Sequence, residues 1–331
     1  MNAIILAGDR ESALPFCGMN KAFLLLEGWP LFIHVLTALN QAKNIDTIYI
    51  VGPRKAIMEA LEKSLSAFLF TKKIEVLEQK KTLLENSIYA YQYASAGKPP
   101  NDPALFMPAD IPLVTAYEID TFIAMSDMRQ YDYCLGMASE EHLTQFYPRQ
   151  KEIGIKMPYL YLRDQVYRMN NLHIARLPSN HSNAMLQTIY KHRRQKNIWN
   201  RIKMVSALVK IKNARPLLFS YFLAQGAVLS ARFGLHRMAR LFRKSLRLEQ
   251  VEKEISSLLQ MRFKAIEVNS GGAALDIDDA SSYKIMVSAF RKWHEALMSK
   301  QPEHRLHEAC PFQDQCHGIE TVSPNVAMTQ F

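Results

Sequence analysis

Three groups of charged side chains, far apart in the sequence, are of the types that handle phosphate. Near the start, Gly8, Asp9 and Arg10 follow a short apolar run, and Lys21 returns a second cation 13 residues after Gly8. Glycine lets a backbone approach a ligand closely, and cations recognise phosphate oxygens. A carboxylate, Asp110, stands in PADIPLVT directly after another apolar run, placed to hold a divalent cation against triphosphate oxygens. Late in the chain, ALDIDDASSY brings Asp276, Asp278 and Asp279 together. Each group has a plainer alternative: a surface lysine, a turn or capping aspartate, and an N-cap cluster favoured by a helix dipole.

The elements that would position these residues follow from periodicity. Residues 3–7 (AIILA) form a continuous apolar run ending at Gly8, the pattern of a central parallel strand covered on both faces. In open α/β sheets, ligands bind at the carboxyl ends of such strands. Helical spacing over 29–42, a strand at 47–51, a helix at 54–70, a strand at 74–77 and a helix at 82–94 continue the alternation. Strands at 104–107 and 131–137, a hairpin over 155–174 turning at 163–165, a returning strand at 263–268 and a last helix complete it. The βαβα rhythm predicts an α/β fold with a mainly parallel sheet flanked by helices.

The run LAGDR, then Pro15, then Asn20-Lys21-Ala22-Phe23 resembles the nucleotide-binding signature of the MobA-like nucleotidyltransferases, a Rossmann-like fold of the glycosyltransferase-A type. Asp9 departs from the family's usual second glycine. The resemblance implies that Leu6, Ala7, Gly8, Asp9, Arg10 and Lys21 face a nucleotide. It also puts Asn86 and Ser87 near the base, where helix capping is the alternative. PADIPLVT is similar to the family's metal motif, which implies Mg²⁺ on Asp110, with Asp278 as a second ligand and Asp276 its competitor. The hairpin would then serve the acceptor, through Lys156, Arg163, Arg168 and Asn171. The implied reaction moves a nucleoside monophosphate from a nucleoside triphosphate to a phospho-sugar, polyol phosphate or lipid head group, releasing pyrophosphate. Arg10, Lys21 and Asp110 would be the catalytic groups. Two other readings stay open: a glycosyltransferase of the same fold using a nucleotide sugar, or a silent protein binding lipid or another anion.

Charge divides the 331-residue chain, which is 48% hydrophobic and carries +10 overall. Residues 165–248 contain no Asp or Glu but 17 Lys and Arg, so the remainder is net acidic. An acid-free basic block suits an anionic partner, and an anionic membrane surface is the partner expected. Specific nucleic acid is not expected, because no reader module is present. Within the block, residues 217–231 are uncharged, too few for the roughly 20 of a membrane span. They read either as a buried helix of a small subdomain or as an interfacial helix beside lipid headgroups. The expected organisation is a core with its hairpin at 1–180, a basic helical insertion at 181–262 with one helix up to Pro216 and a second over 217–248, a last strand and helix at 263–298, and a disordered tail at 299–331.

Four cysteines without framework spacing and an N-terminal apolar run too short for a signal peptide suggest a cytoplasmic protein, peripheral at the membrane's inner face. In the tail, His304, His307, Cys310, Cys316 and His317 lack a recognised zinc spacing. Phosphate-loop, dinucleotide, nucleophile-elbow and His-Glu-x-x-His motifs are absent, removing support for ATP hydrolysis, dehydrogenation and serine or zinc hydrolysis.

Overall fold

A computed structural model describes residues 1–8, 20–97, 102–149, 153–155, 157–177 and 214–300. Strand β1 (Asn2–Leu6) lies at the centre of the sheet, and successive residues point to opposite faces. Ala3 and Ile5 enter one core with Phe32, Leu36, Ile57 and Phe122, whereas Ile4 enters another with Ala90, Tyr91 and Ala94. Both faces are therefore dry, which is why the run is continuous rather than alternating. Helices α1 (Leu31–Gln41), α2 (Arg54–Ser64) and α4 (Ala116–Met125) cover the first face, and α3 (Leu83–Ala94) covers the second. Phe32 and Phe122 are fully buried, so truncating either to alanine should cost about 3–5 kcal/mol.

Strands β2 (Leu25–Leu26) and β3 (Trp29–Pro30) make a small ribbon of their own. The main sheet joins β1 to β4 (Thr47–Gly52), β5 (Lys73–Glu78), β6 (Ala104–Pro108), β7 (Tyr133–Ser139), β8 (Leu160–Tyr161), β9 (Val166–Ala175) and β10 (Phe263–Glu267). Its order is β10-β7-β9-β6-β1-β4-β5, with β8 hydrogen-bonded to β9. Ile4 sits opposite Tyr49 on one side and Phe106 on the other, both in parallel register. Only β9 departs within that order: it returns by the hairpin from β8 and runs antiparallel to β6 and β7. The carboxyl ends of β1, β6, β7 and β10 consequently share one edge.

A short helix α5 (Glu140–Leu143) follows β7, and after β9 the described chain resumes at Ala214 in the basic region. There α6 (Arg215–Arg232) and α7 (His236–Arg243) form a hairpin, followed by α8 (Leu248–Leu259). Ala224, Leu246, Val251 and Ile255 pack on Leu135, Met137, Phe263 and Ala265 of β7 and β10. The expected single helix over 217–248 is thus two helices. The chain breaks at Gly234, whose φ of +72° is accessible to glycine, and Leu235 N–H donates to Ser230 O at 2.9 Å in the bond that closes a Schellman turn. The earlier helix expected in 181–214 lies outside the described residues but for Ala214, and so does the tail from 301. Helix α9 (Ala280–Met298) packs Met286, Phe290 and Trp293 on Leu24, Leu31 and Phe146.

Candidate active site

At the end of β1, Ala7 N–H donates to Val51 O, and Gly8 follows under the side chain of Asn86. A Cβ on Gly8 would lie 2.6 Å from Asn86 Nδ2, so any larger residue there would displace the Asn86 amide. Asn20 ties the returning chain back to this point. Its Nδ2 donates to Ala7 O at 2.9 Å while its Oδ1 accepts from Ala22 N at 2.9 Å. That bond starts the tight turn Lys21–Phe23 and presents Lys21 at the carboxyl edge of the sheet.

The ammonium of Lys21 donates to Ile277 O at 2.6 Å and lies 3.7 Å from Asp110 Oδ2 and 3.6 Å from Asp278 Oδ1. Two loops some 170 residues apart therefore meet on one lysine. They are also joined through the backbone, because Ile277 N–H donates to Asp110 O at 3.0 Å. Burial pushes the Asp110 carboxyl up to about 6; the Lys21 charge opposes this, and the charges of Asp276 and Asp278 reinforce it. Lys21 and, through Asp276, Arg168 together face three carboxylates.

The segment carrying Asp276 and Asp278 is held from two sides. From β9, Arg168 Nε donates to Ala274 O at 2.7 Å, Arg168 Nη2 to Asp276 Oδ1 at 2.7 Å, and Asn171 Nδ2 to Ala273 O at 2.9 Å. From α4, the fully buried Glu118 accepts from Ala273 N at 3.0 Å. Burial pushes the Glu118 carboxyl up to about 7, against the pull of that amide. Asp279 caps α9 by accepting from Ser282 N at 3.0 Å. The three aspartates divide: Asp276 pairs with Arg168, Asp279 caps a helix, and the more exposed Asp278 faces Lys21.

Other expected site residues are placed as follows. Asn86, beside Gly8, accepts from Lys80 N, and Ser87 Oγ donates to Leu83 O; both stand in the first turns of α3, whose cap is Thr82 rather than either of them. Arg163 stands at the β8–β9 turn, donating its N–H to Leu246 O and pairing with Asp164. Arg168 and Asn171 turn their polar atoms to the 273–276 backbone and to Asp276. Asp9, Arg10 and Lys156 lie outside the described residues. Asn20 and Glu118 were not singled out by sequence; for Glu118 the available signal is Thr115-x-x-Glu118, a helix-start pattern.

Among the described residues no three acidic, histidine or cysteine side chains form a ready-made metal cage. Mg²⁺ does not demand one, since it is commonly held by one or two carboxylates together with substrate phosphates. Asp110 and Asp278, both facing Lys21 from one sheet edge, fit that donor set. Two clefts, one at Met1 and Asp102 and one between β10 and α8, lie away from these residues.

The model of the MobA-like NTP transferase domain matches residues 3–247. The chain belongs to that family. It is accordingly a nucleotidyltransferase, and the glycosyltransferase and silent-binder readings give way. The match runs through the basic segment and stops before β10, although β10 and α9 complete the sheet and carry Asp278 between them. No curated protein matches the transferase in sequence. A hypothetical transferase from Thermus thermophilus shares the fold at a TM-score of 0.52 and 20% identity, covering 85% of this chain and 98% of its own. A 4-diphosphocytidyl-2C-methyl-D-erythritol synthase from Anaerococcus prevotii aligns at 0.44 and 12% identity, over 88% and 95% of the two chains. A CMP:2-keto-3-deoxy-manno-octonic acid synthetase complexed with CTP aligns at 0.45 and 10%, over 88% and 99%. At those scores the last two likenesses carry no weight.

Proposed function

We propose that the transferase moves a nucleoside monophosphate from a nucleoside triphosphate to the phosphate of a small acceptor, a phospho-sugar, polyol phosphate or lipid head group, in the cytoplasm. The supporting observation is Lys21 suspended between Asp110 and Asp278 where β1 and β6 end. Those strand ends are where nucleotides lie in α/β sheets.

In-line displacement at phosphorus is mainly positioning and charge stabilisation. Lys21 is held by Ile277 O, so its ammonium is pre-oriented before the triphosphate arrives. Its charge stabilises the departing pyrophosphate, with Arg10 as partner. Gly8 brings the backbone close under the Asn86 amide, and Asn86 and Ser87 would border the base. Mg²⁺, when bound by Asp110 and Asp278, would neutralise phosphate charge; Asp276 stays with Arg168 and keeps the segment in place. The acceptor oxygen attacks directly, so no covalent enzyme intermediate forms. Lys156 and Arg163 remain for the acceptor side. The test is pyrophosphate release from each nucleoside triphosphate with a panel of sugar and polyol phosphates and Mg²⁺. Turnover that requires one acceptor and fails in Asp110→Asn supports the reading, and release unaffected by that substitution contradicts it.

A further inference from the structure

Helix α6 is built the wrong way round for an ordinary amphipathic helix. Its fully buried positions are mostly small or polar: Ser220, Ala224, Ala227 and Ser230, with Leu218 the one large apolar residue among them. Its outward positions are large and apolar: Phe219 is 65% exposed, Phe222 56%, Leu229 56% and Phe233, just past its end, 73%. Spacings of three, seven and four residues put these on one stripe. Across the Gly234 turn, α7 packs alongside α6 and adds exposed Leu235, Met238 and Leu241. Isolated exposed apolar residues are commonplace, but a cluster of this size on one supersecondary unit marks an interaction surface.

The charges around the cluster choose the partner. On α7 the exposed Arg237 and Arg240, and Lys244 just past its end, interleave with Met238 and Leu241. No acidic residue occurs anywhere in 165–248 to neutralise them. A second copy docking through the same face would bring like charges together, whereas a layer of anionic headgroups over acyl chains complements both the cations and the aromatics. Among the described residues no helix is long and apolar enough to cross a membrane, so the hairpin would lie on a bilayer rather than span it.

We propose that the outer face of the α6–α7 hairpin docks on the surface of an anionic lipid bilayer, with Phe219, Phe222 and Phe233 entering the acyl boundary and Arg237, Arg240 and Lys244 meeting headgroup phosphates. This surface is separate from the Lys21 site and independent of which acceptor is used.

The experiment is sedimentation of the full chain with vesicles of phosphatidylcholine alone, and with about 30 mol% phosphatidylglycerol, at low and moderate salt. Two variants accompany it: Phe219→Ser/Phe222→Ser/Phe233→Ser, and Arg237→Glu/Arg240→Glu/Lys244→Glu. Every changed residue is solvent-facing, and thermal melting checks that both variants fold. Salt-sensitive binding to the anionic vesicles only, weakened more than about tenfold in both variants, supports the proposal. Should the aromatic variant melt early, the charge variant alone decides. Three results overturn it: no binding to anionic vesicles at low salt, binding that survives the charge reversal, or a vesicle-independent dimer that dissociates in Phe222→Ser.

Discussion

The Lys21 edge and the α6–α7 hairpin treat side chains in opposite ways. At the edge, charged groups are drawn inward and nearly every one is tied: Lys21 to Ile277, Arg168 to Asp276 and Ala274, Glu118 to Ala273. On the hairpin, aromatic groups are pushed outward while serines and alanines face the protein. Burying charge costs free energy unless it is paired, and exposing phenylalanine forfeits the burial term. Each region departs from the fold's own preference, and each departure has a different reader in mind: a charged small molecule at the edge, an extended surface at the hairpin.

The comparison breaks most sharply at Asp110. Asp110→Asn should lower kcat/KM about a thousandfold or more, roughly 4 kcal/mol, with melting unchanged or raised because a strained carboxylate is removed. Pyrophosphate release and a melting curve read both. Lys21→Met follows, with a loss of about a hundredfold in kcat, close to 3 kcal/mol, if its charge acts on the departing pyrophosphate.

Arg168→Met tests the hold on the 273–276 segment rather than the chemistry. It leaves Asp276 and a carbonyl without their donors, so urea denaturation should show a loss of about 2–3 kcal/mol and the Mg²⁺ requirement should rise. Glu118 sharpens the same point through pH. Its carboxyl is raised from an ordinary 4.5 to about 7 in the folded protein. Its contribution is therefore fully present below about pH 4.5 and is lost as pH rises through 7, by an amount on the order of 3 kcal/mol. Glu118→Gln should flatten that part of the stability profile. The smallest effect belongs to the hairpin: Phe222→Ser should change unfolding free energy by under about 0.5 kcal/mol, since a ring more than half exposed loses little beyond its edge contact with Tyr221.

The sheet-edge placement of Asp110 was legible because it directly follows an apolar run that reads as a buried strand, and that of Lys21 because it returns 13 residues after Gly8, which ends another such run. Arg168 and Asn171 were chemically suited to phosphate, and sequence could not show that carbonyls about 100 residues later already occupy them. Asp278 and Asp276 competed for one role in the sequence until the fold gave each a different partner, Lys21 and Arg168, and left Asp279 to cap the helix. In the basic region the uncharged run of 217–231 was visible, but which face looks inward depends on packing against β7 and β10, a long-range fact. The break at Gly234 was hidden for a local reason: a single glycine in a helical pattern is tolerated as often as it terminates one.

The most direct measurement is a thermal shift of wild type and Asp110→Asn against ATP, GTP, CTP and UTP, each with and without Mg²⁺. A ligand at about 100 times its dissociation constant stabilises by roughly 2.7 kcal/mol, several degrees for a chain of this size. The account predicts a Mg²⁺-dependent shift with one nucleotide that disappears in Asp110→Asn. A shift of equal size in both proteins, or one indifferent to Mg²⁺, would contradict it.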